Sequence, residues 1–555
     1  MRYVIAIFAV LFFGNDALFG QTLNEVACRP MDSSCTISVL LNQKCDVYCE
    51  YGTVSGVYQS STPVSSVSAD VPAEFLLSKL LPNTKYYYRT RYRVSGTGQQ
   101  YSAGSEHSIR TQRAKGAPFT FVIEADPHPY DKKGSWTMWK RTFQNQLADS
   151  ADFLLDLGDT FGDDHNPLTI TSDELKQLHL DCRSLFGTAC HSLPLLFCLG
   201  NHEGESGYYL QLTPPNNLGV NGTLWRKYYF PNPVPGGIYS GNTASESYGI
   251  GQPQNYYAWE WGDALFVVLD DYRYATSSAS PGVWDWTIGD TQYQWFRETL
   301  MKSKSKFKFV FAHHVRGWGR GAATLTKFFE WGGYENNGTV FGFTAKRPGW
   351  ELPLHQLMVK YGVNVFFQGH DHLYAKEVVD GLIYQEVPMP SDSTYIIGMR
   401  DNGDAYTDVK LDGTGHIRVK VAQENATVEF VRSWLPADET ALRKNGEIAH
   451  SYTVIPSVTN VQSDASLPLT PVLEQNYPNP FNPSTIIRYR IQTSGPVSLR
   501  VYNVVGQTVS VLYEGWRDAG NYSETFSAAH LPGGVYFYRL SAQGKTFTQK
   551  ALLLK

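Results

Sequence analysis

The sequence predicts a multidomain chain with a layered α/β centre set between two all-β segments. Three observations predict it. At 555 residues the chain exceeds one compact core and suits about three or four domains. Six short, almost uninterrupted apolar runs fall in its middle, as expected of strands buried on both faces. Both ends instead show alternating strands punctuated by Ser, Gly, Pro and Asn turns. Apolar residues make up 42% and charged residues 18%, a globular composition. The net charge of −5 is small for this length and gives no reason to expect nucleic-acid binding as the main activity.

Residues 1–20 carry Arg2, an apolar run from Tyr3 to Phe13, and then small and polar residues. The run is too short to span a bilayer and suits a secretory signal peptide cleaved near Gly20. No later apolar stretch reaches about 18 residues, so no transmembrane segment is expected. Export places the cysteines in an oxidising compartment. Cys28, Cys35, Cys45 and Cys49 are expected to form two disulfides of open pairing, a zinc site being the disfavoured alternative. Cys182 and Cys190 are candidates for a third, and Cys198 reads as a buried thiol. Residues 21–115 read as short strands. There LLPNTKYYYRTRYRV combines a Leu-Pro-x-Thr turn with an aromatic strand, Tyr86, Tyr88 and Tyr92. This segment resembles a fibronectin type III-like β-sandwich, in which a tyrosine at such a turn anchors the corner.

Residues 116–455 contain the six apolar runs: 119–125, 152–157, 193–199, 264–269, 307–312 and 363–367. Helix-compatible stretches at 135–147 and 291–303 lie between some of them, which suggests sheets covered by helices. The ends of the runs carry the chemistry. In order they lead into Asp126-Pro-His128, Gly158-Asp159, Gly200-Asn201-His202-Glu203, Asp270-Asp271, His313-His314 and Gly369-His370-Asp371-His372. Ligands collect outside the carboxyl ends of strands in open α/β sheets.

Mixed carboxylate, amide and imidazole groups of this kind suit divalent first-row metals. They suffice for two ions sharing one bridging carboxylate, for which Asp159 is the best candidate. Two ions roughly 3.5–4 Å apart bind the oxygens of a phosphate ester and lower the pKa of a shared water, whose hydroxide then attacks phosphorus. His202, not needed as a ligand, is placed to protonate the leaving group or stabilise developing charge.

In this order, D-x-H, G-D, G-N-H-E, H and G-H-x-H resemble the calcineurin-like metallophosphoesterase family. The resemblance implies a four-layer αββα fold. It also implies that Asp126, His128, Asp159 and His372 hold one metal and that Asp159, Asn201, His313 and His370 hold the other. His313 and His314 both follow the fifth run, and the resemblance favours His313. The purple acid phosphatases are similar in their front domain and GNHE motif. They place a glycine where this chain has His128 and a tyrosine where it has Gly162. A colourless enzyme with two ions of Mn, Zn or Fe(II) is therefore expected.

A Tyr/Asn/Pro-rich insertion at 204–255 is expected to shape the pocket but names no substrate, and a second, Gly/aromatic insertion at 316–350 follows His313-His314. In the second, Arg316 or Arg320 is a candidate phosphate contact and Trp318 or Trp331 a candidate stacking residue, although a packed surface loop is the favoured reading of each taken singly. Asp163-Asp164-His165 reads as a solvated loop. A Ser/Pro/Thr-rich linker at 456–472 leads to a small β-sandwich at 473–555. There NYPNPFNPSTIIRY, Val505-Gly506 and Gly534-Val535-Tyr536 closely resemble the type A sorting domain of type IX secretion. That implies a Bacteroidetes-type bacterium, partnership with the secretion machinery, and a secreted or cell-surface location. The expected function is an exported phosphoesterase acting on mono- or diesters. The alternative is a surface-attached binding protein with an inert phosphoesterase-like domain.

Overall fold

The computed structural model describes residues 23–130, 134–161, 169–212, 217–275, 282–315, 320–336, 338–399, 405–456, 472–491, 495–517, 520–542 and 544–555. The expected signal peptide, nearly all of the linker, Arg316, Trp318 and Asp163-Asp164-His165 lie outside these residues. The chain divides into two compact units, Met1–Thr459 and Asn460–Lys555.

Each of the six apolar runs contains a strand of the first unit: Phe119–Glu124, Leu154–Asp156, Leu195–Phe197, Ala264–Val268, Phe307–Phe311 and Val365–Gln368. The first three pair in parallel in one sheet, and the last three pair in parallel in a second. Within each sheet the carboxyl ends therefore share one edge. Antiparallel strands close the first sheet on one side, where Gly415–Val421 pairs with Phe119–Glu124. On the other side Leu23–Cys28, Ser34–Leu41 and Ala73–Ser78 extend it, joined at Cys28 opposite Leu195. The front β-sandwich thus continues the first of these sheets within the same compact unit. Its second layer is built around Cys45–Gly52 and Lys85–Val94. The Tyr86 hydroxyl accepts a hydrogen bond from the Leu81 N–H at 2.9 Å across the expected corner.

The two large sheets face each other across an aromatic core. Phe121, fully buried, stands 5.0 Å from Phe266 and 5.6 Å from both Phe153 and Phe309, ring centre to ring centre. Helices cover the outer faces and complete the αββα layering. Trp136–Ala148 starts at Ser135, whose hydroxyl accepts from the Met138 N–H. Ser172–Phe186 begins with a capping box between Thr171 and Glu174. It buries Leu175, His179, Cys182 and Phe186, which fall along one helical face. Asp290–Lys302 and Leu354–Lys360 cover the second sheet. The Asn460–Lys555 unit is a separate sandwich around Ile487, Leu499, Tyr538 and Leu540.

All seven cysteines are buried and none is joined in a disulfide, so the expected disulfides are not formed. Cys28 pairs opposite Thr36, which turns Cys35 toward the other face of the sheet. Cys45 and Cys49 lie on one strand, about 13 Å apart at the usual rise and beyond disulfide reach. Cys182 instead donates its thiol to the Thr160 carbonyl at 3.5 Å.

Replacing Phe121 with Ala should cost about 3–5 kcal/mol, read from urea melts, because the rings around it cannot collapse into the space. His179, enclosed by Phe161 and Phe230, is pushed by burial from 6.5 down to about 4. The unfolded chain takes up a proton near 6.5 while the fold refuses it until about 4, so stability should fall as pH drops through that window. The loss should be on the order of 3 kcal/mol and should shrink in His179→Gln, measured by melts at pH 7 and pH 4.5.

Candidate metal centre

The strand ends bring six of the seven expected ligand residues, together with His202, to one buried place, and Asn201 is buried beside His202 in the chain. Three groups of converging side chains appear among the described residues: Asp126, His128 and His372; His128, Asp159 and His202; and Asp159, His313 and His370. The groups overlap at His128 and Asp159. Asp159 Oδ2 lies 3.5 Å from His128 Nε2, 3.3 Å from His313 Nε2 and 3.9 Å from His202 Nε2. Asp126 Oδ1 lies 3.6 Å from His372 Nε2 and 3.8 Å from both His128 and His313 Nε2. His314 is also buried, its ring 4.8 Å from that of His370.

The backbone is contorted to achieve this. Asp126, His128, Asp159, His370 and His372 all have positive φ, from 37° to 78°. Such conformations cost on the order of 1–2 kcal/mol each away from glycine, and Asp and His tolerate them better than most residues. Gly200 and Gly369 have a different cause, which is close approach. A Cβ on Gly200 would stand 2.4 Å from Asp159 Oδ1, and one on Gly369 would stand 2.6 Å from Asp126 Oδ2. Main-chain donors then hold the carboxylates: His370 N–H to Asp126 Oδ2 at 2.7 Å, and His202 N–H to Asp159 Oδ1 at 2.8 Å.

Burial opposes ionisation of Asp159, but the His313 and His202 imidazoles outweigh it and hold its carboxyl well below the usual range. Burial likewise opposes charge on His313, yet Asp159 and Asp126 raise it well above an ordinary histidine. His370 is held well below, by burial first and then by His314 and His313. His313 Nδ1 meets the Leu157 carbonyl at 2.8 Å, which leaves Nε2 facing the two carboxylates. Asp126 Oδ1 and Asn201 Oδ1 are buried and accept no hydrogen bond among the described residues. Hard oxygens and imidazole nitrogens converging with acceptor capacity to spare fit divalent cations.

Residues 119–374 match the family model for calcineurin-like phosphoesterases. The chain carries a calcineurin-like phosphoesterase domain. Its fold is similar to two solved structures, each 15% identical over 78% of this chain. One is described as PhoD, with TM-score 0.56 and 89% of that chain covered; the other is the purple acid phosphatase PPD1 from yellow lupin (Lupinus luteus) seeds, with TM-score 0.53 and 74% covered. No curated protein sequence matches. Residues 475–554 match a secretion system C-terminal sorting domain, which marks the chain for secretion or the cell surface. No helix among the described residues is long and apolar enough to cross a membrane.

The phosphoesterase domain also uses residues to which the sequence assigned no part. Glu203, the last residue of the GNHE motif, accepts from the N–H groups of Gly200 at 2.5 Å, Thr160 at 2.7 Å and Asp159 at 3.0 Å. It staples the second and third strand ends together, and burial followed by Asp159 pushes it up to about 7. Tyr272 stands with its ring 5.9 Å from that of His313, and its buried hydroxyl has no hydrogen-bond partner among the described residues. Asp270 ends its run in a structural role, accepting from the Tyr272 and Arg273 N–H groups at 3.0 Å. Trp331 is not available for stacking on substrate, since it packs in the outer core against Phe366. Arg320 binds the turn that carries His370 and His372.

Glu203→Ala should leave four buried N–H groups, those of Asp159, Thr160, Phe161 and Gly200, without this acceptor and cost about 3 kcal/mol or more. Glu203→Gln, which keeps an oxygen in place, should cost clearly less in the same thermal melts.

Proposed function

We propose that the chain is an exported dinuclear-metal phosphoesterase that hydrolyses phosphate mono- or diesters. The supporting observation is the position of Asp159, whose Oδ2 lies 3.5 Å from His128 Nε2 and 3.3 Å from His313 Nε2. In this reading Asp126, His128, Asp159 and His372 hold one divalent ion. Asp159, Asn201, His313 and His370 hold the second, with Asp159 as the bridge. His313 is favoured over His314 because its Nε2 is directed at both carboxylates. Bound there, such ions supply Lewis acidity toward the ester and activate water as the nucleophile. Mn, Zn and Fe(II) all suit the donor set, and Gly162 in place of a tyrosine removes the source of a purple colour.

The protein's own groups orient the reaction. Asp159 stays ionised over the working pH range because its carboxyl is held so low. The His202 main chain is fixed by its bond to Asp159. Its imidazole, 14% exposed, is more open than those of His128, His313 and His372, and it is placed to give a proton to the departing oxygen. A signal peptide at 1–20 would bring the chain to the periplasm, and type IX machinery would carry it across the outer membrane with loss of the tail.

The test is metal content per chain together with hydrolysis of aryl phosphate mono- and diesters. About two divalent ions per chain are expected, with turnover lost on chelation and restored by Mn or Zn. Asp159→Asn should lose at least one ion and lower turnover by at least about 100-fold. Survival of both properties in that variant would refute the bridge. No metal and no turnover after Mn, Zn or Fe(II) is supplied would point instead to an inert, surface-attached binding protein.

A further inference from the structure

Asp371 lies between the two histidines of the Gly369–His372 turn and belongs to none of the three converging groups. It is fully buried, and each of its polar groups is bonded to a residue from outside the turn. Oδ1 accepts from Arg320 Nη1 at 2.9 Å, and Oδ2 accepts from the Gly321 N–H at 2.7 Å and the Tyr406 hydroxyl at 2.8 Å. Its N–H donates to Glu386 Oε1 at 3.0 Å, and its carbonyl accepts from the Tyr395 hydroxyl at 3.2 Å. Arg320 Nη1 also reaches the His370 carbonyl at 2.7 Å.

The turn needs such bracing. His370 and His372 sit on either side of Asp371 with φ of 78° and 66°, conformations that persist only where the surroundings over-determine them. Arg320 and Gly321 come from the insertion that follows His313, so this segment reaches back to the turn that presents two of the candidate ligands. A guanidinium placed on a carboxylate and a carbonyl at once fixes both direction and distance.

The geometry points to Arg320 and Asp371 as a positioning pair, in which the insertion clamps the turn and holds His370 and His372 in ligand geometry. Arg320 thereby acts through the turn and does not contact the ester's phosphate. The inference rests on the reading of His370 and His372 as metal ligands.

The experiment compares the full chain with Arg320→Met, Asp371→Asn, their combination, Arg320→Lys and His370→Ala. Binding of Mn and Zn is measured by equilibrium dialysis, and kcat and KM for 4-nitrophenyl phosphate are measured at saturating metal. Arg320 is 36% exposed, so its replacement leaves the core intact. Arg320→Met and Asp371→Asn should each weaken metal binding about 10- to 100-fold. The combination should be little worse than either alone, because the two act as one unit. KM at saturating metal should stay near wild type, and Arg320→Lys should recover part of the lost affinity. A raised KM with wild-type metal affinity in Arg320→Met would overturn the inference and make Arg320 a substrate contact. Additive losses would overturn the pairing. If both clamp variants bind metal normally while His370→Ala does not, the clamp fails and the ligand reading stands. Normal metal binding in His370→Ala would sink both.

Discussion

Two buried carboxylates within reach of one imidazole are the constraint on which the rest of the first unit depends. Asp126 and Asp159 both lie less than 4 Å from His313 Nε2, and two like charges around one imidazole repel where water is excluded. Neighbouring imidazoles and two main-chain N–H donors offset part of that repulsion. The acceptor capacity left on Asp126 and Asn201 is what a pair of cations would complete. Sheet pairing, motif glycines and the turn conformations all serve to bring these groups together.

Residues from neighbouring loops and strands stiffen that arrangement. The parallel strands bring five loops to the same region, but strand pairing alone leaves the loops free to separate. Glu203 ties two of them together through main-chain N–H groups. Glu386 and Tyr406 brace a third from strand Leu382–Glu386 and the segment before Val409–Leu411. The centre is therefore held by residues that are themselves buried and bonded, as a site requiring sub-ångström placement demands.

Much of this was legible in the sequence because the buried strands announce themselves. FTFVIE and FKFVF are apolar on both faces, and only strands covered on both sides by other layers need that. The residues after them were legible for a related reason: Asp, Asn and His gathered repeatedly at strand ends have no packing purpose. What sequence could not provide was partnership. Four clustered cysteines suggested two disulfides of open pairing, yet the register sets Cys28 and Cys35 on opposite faces. Trp331 was open to stacking or to packing, and only its contact with Phe366 decides for packing. Glu203 and Asp371 stood within the motifs in plain view, but their tasks depend on N–H groups and a guanidinium far along the chain. The strands after residue 405 carry ordinary alternation, and nothing local says that one of them lies against Phe119–Glu124.

The left-handed backbone at five of the seven candidate ligand positions changes what an alanine scan of this site would measure. An alanine at Asp126 or His372 must hold a conformation it disfavours, without the local bonding that a short polar side chain can offer. Its loss would mix two quantities, the missing donor and the relaxation of the loop. Glycine, which takes the same backbone angles without strain, is the better blank at these positions, and the difference between the glycine and alanine variants would report how much of the site's geometry is stored in the main chain.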